Sequence, residues 1–210
     1  MATYDPMTYQ PGMEQIDSTV FQQVIDASNA FDASRYTAKQ VQAALQKEVL
    51  SMEDYAALLA PAAQPFLEQM AVRAKAERFK HFGNNVLLFT PLYISNYCEN
   101  QCVYCGFNCR NAIHRSCLNE QEIEAEMKAI ADTGMREVLI LTGESPKRSD
   151  VTYIARAVAI AKRYFSTIGL EVYPMNVADY QKDQQCGADF VTVFQETYQL
   201  DRYSKMHPGG

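Results

Sequence analysis

An alternation beginning near residue 85 constrains this chain more than anything else in it. Four short, nearly continuous apolar runs, 85–95 (NVLLFTPLYIS), 137–142 (EVLILT), 168–173 and 190–194 (FVTVF), are separated by stretches with helical periodicity. Strands apolar on both faces and joined through helices form parallel sheets with right-handed crossovers. Asn119, with Glu122 three residues on, predicts a helix start. Ile123, Met127, Ile130 and Ala131 predict its inner face, and Gly134 its end. Ser149 or Asp150 opens the next helix, with Val151, Ile154, Ala155 and Val158 at helical spacing, and a third spans about 177–186. Pro91 inside the first run predicts a bend or bulge.

Residues 1–84 contain no strand-like run and read as a helical region. Val20, Val24, Ile25 and Ala27 predict one amphipathic helix, and Val41, Leu45 and Val49 a second. Ser51 is placed to cap a third, with Tyr55, Leu58 and Leu59 inward. After Pro61 and Pro65, Leu67, Met70, Ala74 and Phe79 line a fourth that ends at Gly83. The expected organisation is therefore a helical region over 1–84 and four strand–helix units over 85–210. At about 30 residues per unit, a six-unit partial barrel behind such a preface needs roughly 265 residues. The 210 residues here predict a barrel that does not close and a chain cut short, with no helix after the fourth strand.

Charge excludes several classes of function. With 19 basic and 25 acidic residues the net charge is −6, and no block of Lys or Arg offers a footprint for nucleic acid or an anionic membrane. The N-terminal MATYDPMTYQPG lacks the basic and apolar regions of an export signal. No stretch approaches the ~20 apolar residues of a membrane span. The cytoplasm is the expected location.

Six cysteines are present, and Cys98, Cys102, Cys105 and Cys109 fall within twelve positions. They follow the first strand; Thr142-Gly143-Glu144 follows the second and Gln195-Glu196-Thr197-Tyr198 the fourth. All three motifs thus sit at carboxyl ends of parallel strands, the rim that carries chemistry in barrels and open α/β sheets. Cys98-x3-Cys102-x2-Cys105 on a polar loop suits three irons of a four-iron–four-sulfur cluster, with one iron left without a protein ligand. The alternative is a structural zinc site that recruits Cys109 as a fourth ligand. Cys117 and Cys186 read as structural thiols, and Arg110 and Arg115 as solvated loop charges. His81 suits the dipole at a helix end, and His114 and His207 lack metal-ligand spacing.

The run Pro91-Leu92-Tyr93-Ile94-Ser95-Asn96-Tyr97-Cys98, continued by Cys102-Val103-Tyr104-Cys105-Gly106-Phe107, resembles the cluster loop of the radical S-adenosylmethionine (SAM) superfamily. Leu141-Thr142-Gly143-Glu144, Phe194-Gln195-Glu196-Thr197-Tyr198 and Met206-His207-Pro208-Gly209-Gly210 resemble its tyrosine lyase branch, above all the lyases that make 2-iminoacetate for thiamine. The resemblance covers about residues 50–210. It implies an α/β fold, a partial parallel (β/α) TIM-like barrel forming the radical SAM core, with the N-terminal helical extension before it. It also implies a [4Fe-4S] cluster on Cys98, Cys102 and Cys105, with S-adenosyl-L-methionine as second cofactor. Tyr104 would lie near the adenine, Thr142, Gly143 and Glu144 would contact the methionine amino group, and Gln195 and Glu196 would face the cavity. No residue is singled out as catalytic.

The implied reaction begins with a 5′-deoxyadenosyl radical that takes a hydrogen from the substrate amine. Cα–Cβ cleavage of L-tyrosine then gives 2-iminoacetate (dehydroglycine) and p-cresol. The implied partners are an external electron donor and a thiazole synthase. The tyrosine lyase of FeFe-hydrogenase maturation, which adds a second cluster in a C-terminal extension, is the alternative within the branch. A non-catalytic zinc- or cluster-binding module is the alternative of another class. With its barrel open, the chain alone is expected to be inactive.

Overall fold

Four parallel strands lie side by side in chain order: β1 (Phe89–Ser95), β2 (Glu137–Thr142), β3 (Thr167–Glu171) and β4 (Phe190–Val191). They belong to a computed structural model that describes Thr8 and residues 19–209. The N-terminal segment read as lacking an export signal lies outside the described residues, apart from Thr8. Contacts divide the chain into two units, Thr19–Val86 and Leu87 onward.

The helical unit holds α1 (Val20–Ala30), α2 (Ala38–Leu45), α3 (Met52–Leu59) and α4 (Leu67–Phe82), with a 3-10 turn, Pro61–Phe66, leading into α4. Capping boxes start α2 (Thr37 with Gln40) and α3 (Ser51 with Asp54). Besides Ala44, its buried residues form two small clusters, Tyr36, Ala57 and Ala60, and Val41, Ala63 and Phe66. Several predicted inner faces differ from this. Tyr55, Leu59, Leu67 and Phe79 are exposed, and Val49 lies beyond α2 and is also exposed. Small alanines, which a periodicity weighted toward large side chains passes over, make the contacts instead.

In the second unit α5 (Glu120–Asp132), α6 (Val151–Ala161) and α7 (Val177–Cys186) connect successive strands, and α8 (Leu200–Met206) follows β4. Asn119 caps α5 in a box with Glu122, and Asp150 caps α6 by accepting from the Tyr153 amide at 2.7 Å. The main core joins Leu92, Ile94, Val138, Ile140, Ile168 and Leu170 of the sheet to Ile123, Met127, Ile154 and Val158 of the helices. Alternation sends the other strand residues to the opposite face. Tyr93 pairs with Leu141 and Leu141 with Glu171, so one register row carries all three away from the helices. Gly169 leaves room for its neighbours: a Cβ there would stand 2.4 Å from the Phe190 ring and 2.8 Å from Leu139.

Three expectations are corrected. Pro91 causes no bulge and pairs in regular register with Leu139; the irregularity falls between Tyr93 and Ser95. β1 is an edge strand, where a missing N–H is tolerated. Residues 85–88 are not strand, since β2 begins at Glu137, opposite Phe89. The stretch after β4 carries α8, so the fourth strand is not the last element.

Candidate active site

The carboxyl ends of the strands and the loop after β1 enclose a cleft of about 510 Å³. Cys98, Cys102 and Cys105 line it together with Tyr104, Thr142, Gly143, Glu144 and Glu196. Gln195 is not among its lining residues; its side-chain amide instead donates to the Thr197 carbonyl at 2.9 Å. Of the two neighbours expected to face the cavity, Glu196 does so.

The cysteine loop is held mainly by its own polar side chains. Arg115 donates to the carbonyls of Asn96 (2.6 Å), Phe107 (2.9 Å) and Asn108 (2.7 Å), and thereby closes the loop on itself. The reading of Arg115 as a solvated charge is therefore corrected: the loop bends back on three carbonyls that one planar guanidinium can reach together. Asn108 donates to the Cys102 carbonyl at 3.0 Å, and Asn111 to those of Cys105 (3.2 Å) and Gly106 (3.0 Å). The Phe107 amide points at Cys105 Sγ, 3.4 Å away, the kind of contact that stabilises negative charge on sulfur. Burial, followed by the charges of Cys105 and Cys98, pushes the Cys102 thiol up.

The motif after β2 is locked to this loop. Gly143 donates its amide to the Ser95 carbonyl at 2.9 Å, and Glu99 donates its own to the Glu144 carbonyl at 2.8 Å. Asn100 Nδ2 donates to Glu144 Oε2 at 2.8 Å, fixing the carboxylate at the cleft. A Cβ on Gly143 would lie 2.2 Å from the Tyr97 carbonyl oxygen and 3.0 Å from Cys98 Cβ, so only glycine allows the approach. Gly143→Ala should push Tyr97 and Cys98 aside at about 1–3 kcal/mol, the usual cost of overpacking. Reconstituted iron should fall while far-ultraviolet dichroism stays near that of the parent.

Among the lining residues that went unread in the sequence are Glu171 and Asn100. Glu171, whose carboxyl burial pushes up, shares the register row of Tyr93 and Leu141. Its one signal was a carboxylate inside an apolar strand. Asn100 looked like loop polarity, because its partner Glu144 is 44 positions away. Tyr104 is pushed up to about 12 by burial and by the charge of Glu196.

Three soft thiol donors share the cleft, a donor set whose chemistry fits an iron–sulfur cluster. Cys109 is exposed and does not line the cleft, so the zinc arrangement lacks its fourth ligand there. Thr142 Oγ1 is buried without a hydrogen-bond partner. A buried hydroxyl of that kind is normally satisfied, and its position fits a polar group of a ligand in the cleft. Cys117 and Cys186 lie elsewhere: the first beside Arg148, whose carbonyl is 3.5 Å from its Sγ, and the second against the main core.

No family model matches the chain. It is 40% identical over 174 residues to 2-iminoacetate synthase of Escherichia coli, a match covering 83% of this chain and 46% of that protein. It is 33% identical over 164 residues to 3-methylornithine synthase of Methanosarcina acetivorans, covering 76% and 46% respectively. The chain thus spans about half the length of the curated relatives it matches. Among solved structures, the FeFe-hydrogenase maturase HydG superposes with a TM-score of 0.81 at 26% identity, over 93% of this chain and 44% of that one. Methylornithine synthase PylB gives a TM-score of 0.60 at 30% identity, over 85% and 50%. Over the stretch they share, the chain is similar in sequence to the 2-iminoacetate synthases and in fold to the radical SAM enzymes HydG and PylB.

Proposed function

We propose that the chain forms the cofactor-binding part of a radical SAM tyrosine lyase that cleaves the Cα–Cβ bond of L-tyrosine to 2-iminoacetate and p-cresol, for the thiazole of thiamine. The observation that carries this reading is the convergence of Cys98, Cys102 and Cys105 with Thr142, Gly143 and Glu144 on one cleft. Identity of 40% to a 2-iminoacetate synthase supports the choice of reaction.

In this reading the three thiolates hold three irons of a four-iron–four-sulfur cluster and leave one iron for the amino and carboxylate groups of S-adenosylmethionine. Cluster and cofactor, when bound, supply the one-electron chemistry and hydrogen abstraction with which tyrosine cleavage starts. Thr142 Oγ1 and the Glu144 carboxylate, braced by Asn100, offer acceptors to the methionine ammonium. Tyr104 walls the adenine side. Glu196, its chain neighbour Gln195 and Glu171 are assigned to cofactor or substrate contact. Leu141, Val172, Tyr173 and Phe194 give the cleft apolar walls that keep water from reactive species. An external electron donor and a thiazole synthase complete the proposed set of partners. A reducing cytoplasm suits the free thiols.

A second reading within the same branch, the tyrosine lyase of hydrogenase maturation, is favoured by the TM-score of 0.81 to HydG.

Anaerobic reconstitution with iron and sulfide tests the site. The expected result is about four irons per chain and a reduced-cluster paramagnetic spectrum that changes on adding S-adenosylmethionine. Zinc in place of iron, or a spectrum indifferent to the cofactor, overturns the reading in favour of a binding module. The reconstituted 210-residue chain should form little p-cresol from tyrosine, because β4 has a strand partner on one side only among the described residues. Sustained p-cresol formation would contradict that.

A further inference from the structure

His207 belongs to a motif that the reading above leaves without a role, and its surroundings give it one. Its Nδ1 lies 3.1 Å from the Tyr203 carbonyl, one turn earlier in α8. A carbonyl only accepts, so Nδ1 carries the proton and Nε2 of the neutral ring is left as an acceptor. Tyr104 Oη stands 2.6 Å from that Nε2 and is therefore the donor. The imidazole also stacks on Tyr203, with ring centroids 4.2 Å apart, and meets the Tyr104 ring edge-on at 5.4 Å.

Backbone contacts extend this pairing into a clamp. The Val103 amide donates to the Met206 carbonyl and the Gln101 amide to the Gly209 carbonyl, each at 2.9 Å. The segment after β4 thus grips both residues that flank Cys102, and among the described residues its one side-chain hydrogen bond to the loop is the one from Tyr104 to His207. Tyr104 lines the cleft between two of its cysteines, so its ring position shapes the pocket beside them.

Building on the cofactor site proposed above, we propose that His207 is a positioning residue: it accepts from Tyr104 and holds that ring, with the loop around Cys102, in the conformation that receives S-adenosylmethionine. His207 touches neither iron nor cofactor in this scheme and acts through Tyr104.

Two measurements test it. The first needs no metal. In the metal-free chain, hydrogen exchange at the Gln101 and Val103 amides should speed up in His207→Ala while α5 and α6 keep parent protection. Unchanged exchange at those two amides would overturn the clamp. The second follows the reduced-cluster spectrum during titration with S-adenosylmethionine. His207→Ala should keep the parent's iron content and its spectrum without cofactor, yet need about tenfold more cofactor for the spectral change, the worth of one hydrogen bond. Tyr104→Phe should show the same shift, and the double variant no more than either single one. His207→Gln, whose amide both donates and accepts, should recover most of the affinity. Parent-like affinity in His207→Ala, or additive losses in the double variant, would overturn the assignment. Should the parent itself fail to bind a cluster, the proposed function fails, and the exchange measurement still judges the clamp.

Discussion

Cys102→Ala should lose nearly all reconstituted iron, whereas Cys186→Ala should keep the parent's content of about four irons. The contrast rests on where the two thiols lie. Cys102 lines the cleft with Cys98 and Cys105, and removing it leaves two protein ligands for a cluster that needs three. The backbone contacts that shape the loop at this position use the Cys102 carbonyl, which accepts from the Cys105 amide at 3.2 Å and from Asn108 Nδ2 at 3.0 Å, so deleting sulfur leaves these in place and removes the thiol's contact with Tyr104. Cys186 ends α7 and packs partly buried against the main core, where its sulfur is a small apolar filler. Iron and sulfide assays after anaerobic reconstitution, with thermal unfolding as a control, read the outcome. Equal iron in the two variants would remove Cys102 from the ligand set.

Local chemistry made much of this fold and part of its cleft legible in the sequence. Asn119 and Glu122 announced α5 because a capping box is a signal of four residues, and the predicted stretch 177–186 coincides with α7. The order of the strands and the gathering of the motifs after β1 and β2 followed from one regularity, the parallel alternation of strands and helices. What stayed hidden depends on partners distant in the chain. Strand ends are set by the neighbouring strand, so β1 starts at Phe89 and β4 stops at Val191, shorter than the apolar runs that contain them. Arg115 looked solvated because carbonyl acceptors carry no residue-type signal. The contact between Tyr104 and His207 spans 103 positions, and periodicity says nothing about such pairs. In the helical unit, buried alanines such as Ala57 and Ala63 outweigh the larger side chains that the pattern favoured.

Asp183 should make the second unit markedly less stable at pH 8 than at pH 4, and Asp183→Leu should abolish most of that difference. The side chain is 1% exposed on α7, and both carboxyl oxygens lack a hydrogen-bond partner. Leu170, Tyr180, Phe190 and Val191 line the small pocket it shares with Asp189, whose own carboxylate accepts from the Ile168 amide at 2.8 Å. Burial is the main reason that the Asp183 carboxyl is pushed up to about 7. The charge of Asp179 adds to the effect and that of Lys182 opposes it. An unfolded aspartate titrates near 3.9. Below that pH both states hold the proton, and the carboxyl takes nothing from stability. Between about pH 4 and 7 the unfolded chain releases its proton while the folded one keeps it, so stability falls as pH rises. Above about 7 the loss levels off, at about 4 kcal/mol for a gap of this size. Leucine has no proton to lose and suits the apolar neighbours, so its gain over the parent should be several kcal/mol at pH 8. At pH 4 the variants should differ by much less, since there only the lost desolvation of a neutral carboxyl separates them. Asp183→Asn, neutral at every pH, should flatten the profile in the same way with a smaller gain, because a buried amide still lacks partners. Urea unfolding of the metal-free chain from pH 4 to 8 supplies the comparison. Parallel pH profiles for parent and leucine variant would mean that the Asp183 carboxylate is solvated or paired after all, and would dissociate the pH dependence of the fold from this residue.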